Sequence, residues 1–213
     1  YSNSTNGETF PINWSNYVNL SGSGEDETIL DANHTAGVMN FNYVTEALIQ
    51  DVTITNGSAS SGGGIFCFYS SPSLENVTIT GNSASDDGGG IYCSNNSSPS
   101  FSSYNRCNIY SNTIENNRGS GADIYSTSFI DVIVDTFTVM IPTDYYATPI
   151  DNFTFDILHS VEDLIDTDVY VSVNGDNANS GTSPDESFKT IQYALSRIYT
   201  NSLHINTIHL SAG

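Results

Sequence analysis

Val52-Thr53-Ile54-Thr55 is followed by Gly62-Gly63-Gly64-Ile65-Phe66-Cys67 and then by Ser71-Pro72-Ser73-Leu74. The same words return as Val77-Thr78-Ile79-Thr80, Gly88-Gly89-Gly90-Ile91-Tyr92-Cys93 and Ser98-Pro99-Ser100-Phe101. A decayed third copy runs through Cys107-Asn108-Ile109-Tyr110 and Gly121-Ala122-Asp123-Ile124-Tyr125. Each copy holds short alternating segments broken by Gly, Ser, Asn and Pro. Such segments are too short for a stable sheet alone, but stacked copies bury one continuous core. The repeat predicts an all-β fold, a right-handed parallel β-helix with one copy per coil. A β-sandwich is the alternative, although it has no need of internal repetition. By the period of two, Val52, Ile54, Ile65 and Cys67 point inward and stack on Val77, Ile79, Ile91 and Cys93 about 4.8 Å away. Thr53, Thr55 and Phe66 point outward, and the Gly triplets mark turns between faces. Cys67 and Cys93 then occupy equivalent inward positions, close enough for a disulfide or packed as two reduced core residues.

The blocks Asn76-Val77-Thr78-Ile79-Thr80-Gly81-Asn82 and Gly88-Gly89-Gly90-Ile91-Tyr92 resemble the repeats of polymorphic outer-membrane proteins and related β-helix surface proteins. The resemblance covers roughly residues 41 to 129. It implies a bacterial extracellular or cell-surface repeat protein. It says little about activity, since β-helices carry lyases, hydrolases, adhesins and fibres alike.

Composition narrows the partners. The 213 residues carry 24 Asp plus Glu against 4 Lys plus Arg, a net charge of −20. No basic patch exists to displace counterions from phosphates, so nucleic acid is excluded as a partner. Anionic membrane surfaces and polyanionic substrates are disfavoured by repulsion. No run of about 18 apolar residues predicts a membrane helix, so no insertion is expected. Tyr1 opens straight into polar sequence without a signal peptide. The chain is nonetheless poor in Lys and rich in Asn, Ser, Thr and Tyr, as exported proteins are, which implies a signal removed or placed elsewhere in a longer chain.

Residues 169 to 213 read differently. Val169-Tyr170-Val171-Ser172-Val173 is a strand, a polar loop follows, and Ser183-Pro184-Asp185-Glu186 forms a capping box. Phe188, Ile191, Ala194, Leu195 and Ile198 then share one face of a short amphipathic helix over about Lys189 to Ile198. Thr207-Ile208-His209-Leu210-Ser211 is a second strand. This stretch resembles the start of bacterial β-helix proteins, where a strand, a loop and a helix plug the open end of the stack. Its expected continuation lies at the other end of the chain, in Phe10, Ile12, Tyr17, Val18 and Leu20, and joining Gly213 to Tyr1 restores the pattern. The sequence therefore divides into coils (1–128), an extended connector (129–168), and a cap with a first-coil strand (169–213). The cap either completes the next copy or folds back onto residues 1–40. The first alternative predicts head-to-tail assembly with other copies, through Phe10, Ile12, Tyr17, Val18, Leu20, Val171, Phe188, Ile191, Leu195, Ile208 and Leu210.

Little chemistry survives inspection. His34, His159, His204 and His209 form no i,i+4 zinc pair, and no Cys-x-x-Cys occurs. Asp86 and Asp87 are adjacent in a turn, so their side chains diverge, and Arg106 and Arg118 have no partner in the repeat. The sequence predicts no enzyme; a carbohydrate-active β-helix is the rival reading. Two copies of a Thr-x-Thr ladder, interrupted in the third by Asn108 and Tyr110, make ice binding a minor alternative. No cofactor is expected, with calcium at Asp166, Asp168 and Asp176 as the weak exception. Asn-x-Ser/Thr sequons include Asn33, Asn76, Asn95 and Asn152, candidate glycosylation sites. The function expected is a structural or adhesive module of an extracellular or surface fibre, with other copies, a carbohydrate or a host surface as partner.

Overall fold

The computed structural model describes residues 1–115, 120–199 and 205–211; Arg118, His204 and Gly213, all singled out above, lie outside them. The chain forms two compact units, Tyr1–Val161 and Glu162–Gly213.

The first unit opens with β1 (Ile12–Asn13), β2 (Leu20–Ser21), β3 (Ile29–Asp31) and β4 (Met39–Asn42). The two well-formed repeats supply β5 (Leu48–Thr55), β6 (Ser58–Ser61), β7 (Ile65–Phe68), β8 (Ser73–Thr80), β9 (Ser83–Asp87) and β10 (Ile91–Ser94). Then come β11 (Ser100–Phe101), β12 (Cys107–Tyr110), β13 (Thr113–Ile114), β14 (Ile124–Ser126), β15 (Ile130–Val139), β16 (Ala147–Thr148) and β17 (Phe153–Glu162). One sheet stacks β1, β4, β7, β10, β14 and β16 in that order. A second stacks β2 and β3 on β5, then β8, β12, β15 and β17, with β11 beside β8; a third holds β6, β9 and β13. Each strand thus pairs with its counterpart one turn later. The parallel pairings, such as Ile65 with Ile91 and Val52 with Val77, make a solenoid of about six turns and exclude the sandwich.

The core is a set of columns dictated by the repeat. Leu30, Ile54, Ile79, Ile109 and Phe137 lie in register, as do Met39, Ile65, Ile91, Ile124 and Ala147, and all ten are buried. β-Branched side chains with one preferred rotamer stack on their own kind with little loss of side-chain freedom. Outside the first sheet, Phe66, Tyr92 and Tyr125 stack with centroids 5.3 and 5.0 Å apart.

Residues 130–161 of the connector expected over 129–168 are instead more solenoid. β15 pairs in parallel with β12, aligning Cys107 with Val134 and Ile109 with Phe137, while β16 pairs with β14 and β17 lies beside β15. Val132, Val134, Phe137 and Val139 are buried. Their alternation is the inward set of a further coil. It lacks a Gly triplet, which is why it did not read as a repeat.

In the second unit, β18 (Val169–Ser172) and β19 (Ile208–Ser211) pair in parallel, Val171 opposite Leu210. A helix, α1 (Ile191–Arg197), lies between them in sequence; it is the one α-helix among the described residues. It is shorter than expected, and Thr190, not Ser183, caps it: the Tyr193 amide donates to Thr190 Oγ1 at 3.2 Å. Ser183 caps a separate 3₁₀ turn, Pro184–Glu186, because Ser187 is extended and interrupts the helical path. Val169, Val171, Phe188, Ala194 and Ile198 form the core of this unit. Gly181 permits this packing, since a Cβ there would stand 2.1 Å from the Phe188 ring.

Candidate functional site

The first-coil strands carry one edge with no strand partner among the described residues. β1 pairs only with β4, and β2 and β3 only with β5, among the described residues. Phe10 is buried, Ile12 and Leu20 are half-buried, and Tyr17 and Val18 are exposed. The Tyr17–Val18 turn is held by Trp14, whose indole N–H donates to the Val18 carbonyl at 2.8 Å. The backbone of Tyr1 lies on the side of β3 away from β5. Its amino group donates to the Ile29 carbonyl at 2.6 Å, and its carbonyl accepts from the Asp31 amide at 3.0 Å. These two bonds to alternate residues are those of a parallel strand neighbour.

The second unit presents an unfinished surface of its own. Leu210 is 64% exposed although it lies in register with buried Val171, and Ile208 is half-buried. Ile191 and Leu195, expected on the buried helix face, are 47% and 53% exposed. Phe188 and Val171, expected at an assembly interface, are instead interior to this unit. Asp168 staples β19 in place, accepting from the Thr207 amide at 2.7 Å and facing His209 Nε2 at 2.9 Å. The His209 contact holds the Asp168 carboxyl below its usual range. Asp168 is therefore a structural clamp. No group of three or more His, Cys, Asp or Glu among the described residues is placed to hold a metal, so Asp166, Asp168 and Asp176 do not gather into a calcium site.

The interior holds two polar stacks. Cys67 and Cys93 are opposite each other in adjacent coils, and both are free buried thiols, as is Cys107. Burial, then the contact with Cys67, raises the Cys93 pKa; burial pushes Cys107 up to about 12. A second stack is an asparagine ladder that the sequence reading missed. Asn82 Oδ1 accepts from the Gly57 amide at 2.9 Å, and Asn112 Oδ1 accepts from Asn82 Nδ2 at 3.0 Å. Asn112 Nδ2 then donates to Asp123 Oδ1 at 3.0 Å. Gly64 and Gly90 leave room for the amides: a Cβ on them would lie 3.0 Å from Asn82 Nδ2 and 2.9 Å from Asn112 Nδ2. Asp123 stands where those copies have their third Gly. The signal was legible in Gly121-Ala122-Asp123 set against Gly88-Gly89-Gly90.

The remaining sequence candidates separate. Asp86 is exposed, while Asp87 accepts from the Ser120 amide and hydroxyl at 3.0 and 2.9 Å. Arg106 does have a partner, from outside the repeat: it pairs with Asp156 of β17 at 2.7 Å and donates to the Val134 and Asp156 carbonyls. The threonine ladder is covered in part, because Thr78 donates to Glu25 at 2.7 Å and is buried. Of the sequons, Asn33 and Asn95 are exposed with positive φ, whereas Asn76 donates to Asp51 and Asn152 to the Ser126 carbonyl.

Residues 76–94 match the family model of the Chlamydia polymorphic membrane protein repeat. They span the second half of β8, β9 and β10, one turn around the solenoid. No curated protein and no solved structure matches the chain.

Proposed function

We propose that the chain is a bacterial surface module, a non-catalytic solenoid that displays its outer faces and joins other copies head to tail. The matched repeat and the parallel solenoid support the surface reading. The observation that carries the assembly reading is a pair of sheet edges that can each take a parallel strand. At one, Tyr1 already occupies the place of a further parallel strand on β3. At the other, β19 pairs on one side only among the described residues, and Leu210 is exposed. Unpaired edges are templates for strand addition, and a repeated head-to-tail contact does not close on itself. Ile191 and Leu195 supply apolar area to the joint.

Static light scattering over a concentration series tests this. Oligomers that lengthen with concentration are expected, and Ile191→Asp with Leu195→Asp should return them to monomer with an unchanged circular dichroism spectrum. A monomer at every concentration up to about 1 mM, an affinity near −4 kcal/mol, contradicts it.

A further inference from the structure

The outer face of the second sheet carries a groove built by a repeated bend. β5 and β8 each break at one residue, Asp51 (φ +59°) and Asn76 (φ +48°), which the strand register skips. The bend turns both side chains outward, where Asn76 Nδ2 donates to Asp51 Oδ1 at 2.9 Å and Gln50 Nε2 to Asp51 Oδ2 at 3.1 Å. Glu25 reaches across from the loop before β3, accepting from Thr78 at 2.7 Å and from Asn108 Nδ2 at 3.1 Å. On the far side stand Asp135, which faces His159 at 3.0 Å, and Arg106, fixed by Asp156. The Ser102–Asn105 turn lifts Tyr104 over the rim, 96% exposed. The groove is open to solvent and offers about 830 Å³.

We propose that this groove binds a neutral oligosaccharide. Its polar groups are carboxylates and carboxamides, the planar acceptors that pair with sugar hydroxyl donors, and the two Asp51 oxygens, each accepting from one side-chain amide, keep a second lone pair. They are held by hydrogen bonds across coils, so little side-chain freedom is lost when a ligand arrives. Tyr104 offers an aromatic face for the C–H face of a pyranose, with its hydroxyl in water. Charge selects among sugars. Glu25, Asp51 and Asp135 outnumber Arg106, whose own charge is met by Asp156, so uronate and sulfated chains are repelled. The polar floor gives an apolar ligand little to rest on. The site lies wholly within the solenoid and does not depend on assembly.

The probes are cellohexaose, maltohexaose and chitohexaose, titrated against the full chain by calorimetry and by saturation-transfer NMR. At least one is expected to bind with a Kd below about 1 mM. Tyr104→Ala and Asp51→Asn should each weaken it tenfold or more, with circular dichroism unchanged, and the affinity should hold between about 50 and 500 mM salt. The proposal is overturned if none of the three binds, or if Tyr104→Ala leaves binding intact. It is also overturned if only a basic peptide such as hexalysine binds and salt abolishes that binding. Light scattering in the same samples separates this result from the assembly reading, since monomers should bind as well as oligomers.

Discussion

Replacing Asp123 with Asn should remove a pH-dependent weakness from the solenoid. Asp123 is completely buried at the end of the asparagine ladder. Its Oδ1 accepts from the Asn112 amide at 3.4 Å and from Nδ2 at 3.0 Å. The Thr138 hydroxyl and Asn112 offset part of the burial, but Oδ2 has no well-formed hydrogen-bond partner. Burial dominates and pushes the carboxyl from 3.8 up to about 7. A folded pKa above the unfolded one means the stabilisation is full below about pH 4 and is lost as pH rises through about 7. A shift of roughly three pH units corresponds to about 4 kcal/mol at most. Asn keeps the acceptor that Asn112 uses and cannot ionise. Asp123→Asn should therefore gain about 2–4 kcal/mol over wild type at pH 8.5, about 1 kcal/mol at pH 4.5 and close to nothing at pH 3. Urea midpoints of both proteins across that range give the difference, which cancels the contribution of the other acidic residues. Parallel curves for wild type and Asp123→Asn would refute the argument, because the buried carboxyl would then titrate as in the unfolded chain.

Two further outcomes follow from the interior. Gly90→Ala places a Cβ 2.5 Å from the Asp123 carbonyl oxygen and 2.9 Å from Asn112 Nδ2. It should cost about 2 kcal/mol or more, seen as a lower thermal midpoint; Gly24→Ala, where a Cβ meets nothing closer than 4.0 Å, tests conformation without crowding. The thiols of Cys67, Cys93 and Cys107 are buried, and those of Cys93 and Cys107 are shifted upward. A disulfide-exchange reagent at pH 8 should label none of them in the native protein and all three in urea, and rapid native labelling would contradict the packing.

The sequence carried the solenoid where the repeat is nearly verbatim. Gly88-Gly89-Gly90-Ile91-Tyr92-Cys93 names a turn, an inward residue, an outward aromatic and a second inward residue, and the structure places each there. It failed where periodicity survived without punctuation. β15 has the alternation of a coil strand but no Gly triplet, so it read as an extended connector. Helical spacing grouped Ile191 and Leu195 with Phe188, yet a seven-residue helix has only one face against its own unit, and Ala194 and Ile198 take it. The ladder from Asn82 to Asp123 and the bend at Asp51 and Asn76 escaped for a different reason. Both depend on which residue lies above which, and that register is set by coil lengths that differ between turns.

The most direct test of the solenoid is a set of spin-label distances along one column. Asn13, Asn40, Phe66, Tyr92, Tyr125 and Thr148 follow one another in register, one per coil. Each coil adds about 4.8 Å, so labels at Asn13→Cys and Thr148→Cys should lie about 24 Å apart, before the length of the label arms. Labels at Asn13→Cys and Tyr125→Cys should lie about 5 Å closer. Narrow distributions that shorten by one rise per coil removed are the predicted result. A broad distribution for Thr148, or one far longer than the Tyr125 value by more than a single rise, would contradict a solenoid continuing through β16.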